Sequence, residues 1–282
     1  MQTRLAALVL TGFLGVAALA KGERKMLEVK LRSRPAPEGA VKTERQEWNP
    51  SQTCLIVCDM WDKHWCKGAN RRGAELAPRV NQLLLNLRER GVLIIHAPSG
   101  CMGFYKDHPG RKLAQSTPAA AHPPNVERWC YKIPAEEKGV YPLDQDDGGC
   151  DDLPPCKTYD AWKSEMAALE IKDGDAISDS GIEIWNLMEQ RGIKNVLLLG
   201  VHLNMCVLGR PFGLRNMATA GKNVALVRDL TDTMYNPRSR PFVSHHRGTE
   251  LMVEHVERWV CPSVTSDQFL GGKPFHFAST ED

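Results

Sequence analysis

Four apolar runs limit how this chain can fold: TCLIVCDM (53–60), VLIIHAPSG (92–100), KNVLLLG (194–200) and KNVALVRD (222–229). Each is short and closed by a turn-forming or charged residue, which predicts a buried strand. They are apolar at almost every position rather than at alternate ones. That is the pattern of strands covered on both faces, as in parallel sheets. Segments with helical spacing lie between and after them. AELAPRVNQLLLNLRERG (74–91) ends in a glycine stop, GIEIWNLMEQRGI (181–193) turns Ile182, Trp185 and Met188 inward, and RGTELMVEHVERWV (247–260) is a third. CVLGRPFGLRNMATAG (206–221) also reads as a helix, with Pro211 early in it or kinking it. DAISDS (175–180) and the stretch around SVTSDQ add short strands. The alternation predicts one three-layer α/β/α sandwich with a mostly parallel, Rossmann-like sheet. Ligands of such sheets bind at the carboxyl ends of the strands.

The N-terminus reads differently. MQTRLAALVLTGFLGVAALAKG carries one Arg, an apolar stretch from Leu5 to Leu19, and Ala18-Leu19-Ala20 just before Lys21. This is the layout of a signal peptide, residues 1–20, cleaved at an A-x-A site. The alternative is an uncleaved anchor, although a span needs about 20 residues. Export to the periplasm or the extracellular space is expected, with no membrane partner after cleavage. Residues 21–50 are polar and Pro-containing, a linker or edge arm; 51–270 form the domain, with a loop-rich insertion at about 100–160; 271–282 are a tail. The insertion is a surface insertion near the site or a mobile loop stapled by disulfides.

The net charge of +2, with no sustained Lys/Arg block, argues against a nucleic-acid partner. Nine cysteines leave at least one unpaired. Cys54 and Cys58 share a strand and lie ~13 Å apart, too far to bridge. Cys101, Cys130, Cys150 and Cys156, in the loop-rich region, are the better disulfide candidates, with connectivity open.

Three chemical groups fall at strand ends. Asp59 closes the first strand, His96 the second, and Cys206 follows the fourth and opens the expected helix. Free amides at a helix N-terminus favour a thiolate and can hold an oxyanion. A buried free cysteine is the alternative reading of Cys206. Asp59 is a general base for that thiol, or a turn cap.

LIVCDMWD (55–62) and GIKNVLLLGVHLNMCVLGRPFGLRNMATAGKNVALVRD (192–229) resemble the isochorismatase-like cysteine hydrolases, among them nicotinamidases and N-carbamoylsarcosine amidohydrolases. The resemblance covers about 51–270 without the insertion. It implies Asp59 as base and Cys206 as nucleophile on an amide-type carbonyl. It further implies an oxyanion hole from the N–H groups of His202 and Cys206, a cis peptide at Val201-His202, and a homo-oligomer. Asn204 stands where many relatives have Asp. The family also has a Lys before the third strand. Gly174 occupies that place here; Lys172, two residues earlier, is the candidate on the same face, with Lys163, Lys63 or Arg210 as substitutes.

Asp62, His64, His96 and Asn204 are expected around the pocket. Nicotinamidases bind a divalent metal through Asp-x-His and a further His; Asp62-x-His64 has that spacing on a different segment, and KDHPG (106–110) does not have it. No cofactor is expected, with a metal on Asp62, His64 and His96 as the alternative. Asp229 and Asp232 are turn formers or pocket wall, His245-His246 a cap, and Trp61, Trp65 and Phe212 pocket or core.

The expected function is an exported cysteine hydrolase that cleaves a C–N bond of a small molecule through a Cys206 thioester. A binding module without catalytic activity is the alternative, because the family Lys is missing. An isochorismatase-type vinyl ether hydrolase is a third.

Overall fold

Eight strands form one sheet among the residues that the computed structural model describes, 25–35 and 39–278. The expected signal peptide lies outside them. The strands are β1 (Leu27–Ser33), β2 (Lys42–Trp48), β3 (Thr53–Cys58), β4 (Leu93–Ala97), β5 (Ala176–Ile177), β6 (Asn195–Val201), β7 (Asn223–Asp232) and β8 (Ser263–Val264), in the order β2-β1-β8-β7-β6-β3-β4-β5. β8, β7, β6, β3, β4 and β5 run parallel, while β1 and β2 add an antiparallel edge. The helices are α1 (Lys67–Arg90), α2 (Pro109–Ser116), α3 (Gly181–Gln190), α4 (Leu214–Thr219), α5 (His245–Trp259) and α6 (Asp267–Leu270).

The apolar runs divide their side chains between two cores with the strand period of two. From β3, Leu55 and Val57 pack with Leu76, Val80, Leu83, Leu84 and Leu87 of α1 and Phe269 of α6. Cys54, Ile56 and Cys58 point the other way, to Ile184 and Leu187 of α3, Leu214 of α4 and Met252 of α5. β6 does the same, with Leu197 and Leu199 on the α1 side and Val196 and Leu198 on the other. This is the expected three-layer α/β/α arrangement.

Two segments differ from the sequence reading. Residues 27–33 and 42–48, inside the expected linker or arm, are strands of the sheet edge, and Leu27, Val29 and Leu31 of β1 are buried against the α1 layer. Their alternation with charged residues marks a one-sided strand, which the polar composition of the whole segment obscures. The single helix expected over 206–221 is broken. A π turn spans Leu203–Val207, and α4 begins only at Leu214. Pro211 has no N–H to continue the ladder, and the chain instead turns through a Gly213 N–H bond to Arg210 O of 2.7 Å.

Candidate active site

The ends of β3 and β6 meet at one point. Gly200 of β6 pairs with Cys58 of β3, and a Cβ at Gly200 would collide with the Cys58 carbonyl. Its φ of 111° is also a glycine conformation. This close approach sets Asp59, next after β3, beside the turn that follows β6. The Val201-His202 peptide there is cis. Asp59 itself has φ 51°, which turns its carboxylate toward the loop after β4. The Ser99 N–H donates to its Oδ1 at 2.7 Å.

Three side chains converge. The Cys206 thiol lies beside the Asp59 carboxylate and interacts with it. Arg210 donates through Nε to Asp59 Oδ2 at 3.1 Å, and its guanidinium also faces the Cys206 sulfur. Asp59 is fully buried, Cys206 nearly so, and the Arg210 side chain is 27% exposed. Burial raises the Asp59 carboxyl above the usual carboxylate range, against the pull of Arg210 and the thiol. Burial, followed by the Asp59 charge, pushes the Cys206 thiol well up, and Arg210 opposes this. Burial thus works against the charged forms of Asp59 and Cys206 alike, and Arg210 favours both.

This corrects two expectations. Cys206 sits inside a π turn rather than at the N-terminus of a regular helix, and its thiol is raised rather than lowered, because burial and the neighbouring Asp59 charge disfavour the thiolate. The cation at Asp59 is Arg210, not Lys172. Lys172 is half exposed and paired with Glu170. Arg210 reaches the site because it lies four residues after Cys206 on the same turn, its own N–H bonded to Cys206 O at 3.0 Å. Its guanidinium also rests over the Trp129 ring, 5.5 Å from the centroid.

The other expected residues take distinct places. Asp62 holds a turn, accepting the N–H groups of Lys163 and Ser164 at 2.9 and 3.2 Å. His64 borders the pocket, and its Nδ1 accepts the Cys66 N–H at 3.1 Å. Burial and then Arg72 lower its pKa to about 4, so it is neutral. His202 meets it edge-on at 4.9 Å and is lowered to about 3 by burial and then by His64. His96 is locked elsewhere, with Nδ1 2.6 Å from Glu165 and Nε2 3.5 Å from Asp175. Burial would lower it, but the two carboxylates raise it to about 9. Asp62, His64 and His96 therefore do not bring ligand atoms together. Among the described residues the group that does is Cys66, Cys150 and Asp152.

Asn204 is a clamp. Its amide bonds Met234 O and N at 2.8 and 2.9 Å, tying the π turn to the chain after β7. Asp232 accepts from Arg72 and His245, each at 2.8 Å. Asp229 accepts the Ser266 N–H at 2.8 Å, and Phe212 lies in the core. His108 caps α2, and Lys63 lies 5.8 Å from the Tyr159 ring. The four loop cysteines are unbridged: Cys101 is buried near Ser99, Cys130 faces Lys132 O, and Cys150 and Cys156 gather with Cys66.

A cavity of about 740 Å³ opens over Cys206 and Arg210. Trp61 and Trp162 stack at 4.2 Å on one side, and Trp129, Tyr131 and Tyr141 form another. Trp129, Tyr131, Tyr141 and Trp162 come from the loop-rich segment. Composition flags that segment as loop, and nothing in its spacing aims those rings at the site. Gly209 leaves room for one of them, since a Cβ there would collide with the Trp129 ring.

No protein-family model matches the sequence, and no curated protein is detectably similar to it. Solved structures are similar at low identity. A cysteine hydrolase from Pseudomonas syringae pv. phaseolicola 1448A is 17% identical over 78% of this chain and 91% of that one, with a TM-score of 0.48. An isochorismatase-like hydrolase from Alkaliphilus metalliredigens is 15% identical over 78% and 96%, with a TM-score of 0.44. An N-carbamoylsarcosine amidase from Thermoplasma acidophilum is 12% identical over 77% and 97%, with a TM-score of 0.40.

Proposed function

We propose that this chain is a hydrolase that opens a C–N bond of a small amide through a Cys206 thioester. The observation that carries the reading is the Asp59 carboxylate held between the Cys206 thiol and the Arg210 guanidinium at the floor of an aromatic cavity. Asp59 takes the thiol proton, and Arg210 stabilises the charges on both sides of that transfer. The thiolate attacks the amide carbon. The N–H groups of His202 and Cys206, in the turn after β6, receive the oxyanion. Asp59 returns its proton to the leaving nitrogen, releasing ammonia or an amine. Water then attacks the thioester as Asp59 takes its proton, and Asp59 passes that proton to the departing sulfur, which frees the acid and restores thiol and carboxylate. The stacked Trp61 and Trp162 favour a flat substrate.

The N-terminal layout supports export before the domain acts. Among the described residues no helix is long and apolar enough to cross a membrane. A homo-oligomer rests on the family resemblance alone.

The test is product release from a panel of small aromatic and aliphatic amides by the unmodified chain, Cys206→Ala and Asp59→Asn. Ammonia from the unmodified chain only, with an acyl adduct on the Cys206 peptide, supports the reading. Equal rates in all three proteins sink it. Pyruvate from isochorismate would assign a vinyl ether hydrolase instead, and binding without any product a binding module.

A further inference from the structure

A second cluster of reactive groups lies outside the cavity, where the start of α1 meets the end of the loop-rich segment. Cys66 caps α1, and Cys150, Asp152 and Cys156 approach it from residues 150–156. Three thiols converge on a single carboxylate oxygen. Asp152 Oδ2 lies 3.4 Å from Cys66 Sγ, 3.7 Å from Cys150 Sγ and 3.2 Å from Cys156 Sγ. Cys66 Sγ and Cys150 Sγ are 3.4 Å apart.

Cys66 Sγ, Cys150 Sγ and Asp152 Oδ2 close a triangle, and Cys156 Sγ joins it through Asp152 Oδ2. With zinc–sulfur bonds of ~2.3 Å and zinc–oxygen bonds of ~2.0 Å, tetrahedral edges come to about 3.8 Å for S···S and 3.5 Å for S···O. We infer that Cys66, Cys150, Cys156 and Asp152 form a structural site for a thiophilic divalent cation of the zinc type. Three thiolates and a carboxylate fill four positions, which makes a closed site rather than one open to substrate.

The backbone is arranged for the negative charge that such a ligand set carries. Three consecutive amides at the start of α1 point into the cluster. The Lys67 N–H faces Cys156 Sγ, the Gly68 N–H donates to Asp152 Oδ2 at 2.9 Å, and the Ala69 N–H donates to Cys66 Sγ at 3.5 Å. Arg71 lies 3.5 Å from Asp152 Oδ1. Gly68 is required by the packing, because a Cβ there would collide with the Asp151 carboxylate.

A disulfide would use two of the three sulfurs and leave the third and the carboxylate against it. The cation uses all four groups. It would also fasten residues 150–156 to α1, and with them the segment around Leu143 to Gly148 that borders the cavity.

The experiment is metal analysis of the full mature chain purified anaerobically after exposure to zinc chloride and removal of excess, with cobalt chloride as the spectroscopic substitute. About one zinc per chain is expected, with intense near-ultraviolet sulfur-to-cobalt absorption. Cys156→Ser and Cys150→Ser should each lose at least tenfold in retained zinc, while Cys206→Ser keeps it. Should Cys150→Ser fail to fold, the half-buried Cys156 position and the unmodified chain's own stoichiometry still decide. Less than a tenth of an equivalent on a folded chain overturns the inference. So does retention of zinc by both variants, or a disulfide among the three cysteines in the mature protein.

Discussion

Arg210 holds Asp59 from the same turn that carries Cys206, with Nε 3.1 Å from Oδ2. In the family that the sequence resembles, the cation comes from the third strand. Here the proposed nucleophile, Cys206, and the cation are four residues apart on one segment. The guanidinium stays charged at any working pH, so it does not compete with Asp59 for the proton. Arg210→Gln is expected to lower kcat about 10²–10³-fold, the scale for losing one charge-stabilising donor in a dry site. Arg210→Lys should recover part of it. Steady-state kinetics on the amide found in the substrate screen measures both; an unchanged kcat in Arg210→Gln would remove the residue from the mechanism.

Gly200→Ala tests the crossing of β3 and β6. The added Cβ meets the Cys58 carbonyl at a backbone φ of 111°. A loss of about 3 kcal/mol or more is expected from the strained dihedral and the forced strand separation, read as a shift of the denaturant midpoint. Activity of the remaining folded chain should fall too, because Asp59 and the π turn are moved apart.

The loop-rich segment is tied down by a buried carboxylate. Glu136 accepts from Arg215 at 2.7 Å twice and from His255 at 2.8 Å. Burial would raise its carboxyl, but the His255 and Arg215 hydrogen bonds bring it down to about 2. Glu136→Ala removes the acceptor of Arg215, His255 and the Ile133 N–H and should cost about 3–5 kcal/mol, as removal of one partner of a buried ion pair does. Unfolding monitored by circular dichroism checks this, and proteolysis near residues 120–140 should become faster.

Histidines of opposite sign bound the stability in pH. His64 and His202 have folded values of about 4 and 3, below the ordinary 6.5. Their contribution is complete above pH 6.5 and is lost as pH falls through those values. His96, raised to about 9, contributes fully below 6.5 and loses it as pH rises through 9. The melting temperature is thus expected to peak near pH 6.5. His96→Gln should flatten the alkaline limb only, and His202→Asn the acid limb only.

The parallel strands and their helices were legible because burial on both faces writes itself as continuous apolar runs, as in LIVC and NVLLLG. Asp59 was legible because a polar residue directly after such a run lies on the ligand-binding rim, and Cys206 because it lies in the turn that follows the KNVLLLG run on that rim. Strand β1 was not, because its three buried residues alternate with charged ones inside a polar segment. Lys172 was a misplaced expectation: register on a strand says which face a side chain takes, not whether a cation is needed there. Arg210 was visible as Cys-x-x-x-Arg spacing, but only the break at Pro211 shows that this turn stands alone and aims its fourth residue back at the sulfur. The aromatic walls had no such signal, since loops carry no period from which to infer direction.

The short path between Cys206 and Arg210 changes what the site is sensitive to. A slip of one residue in β5, or its loss, leaves nucleophile, base and cation in place. One residue inserted between positions 206 and 210 would separate the charges and silence the chemistry. The charge balance at Asp59 thus depends on the length of one short loop rather than on the register of β5.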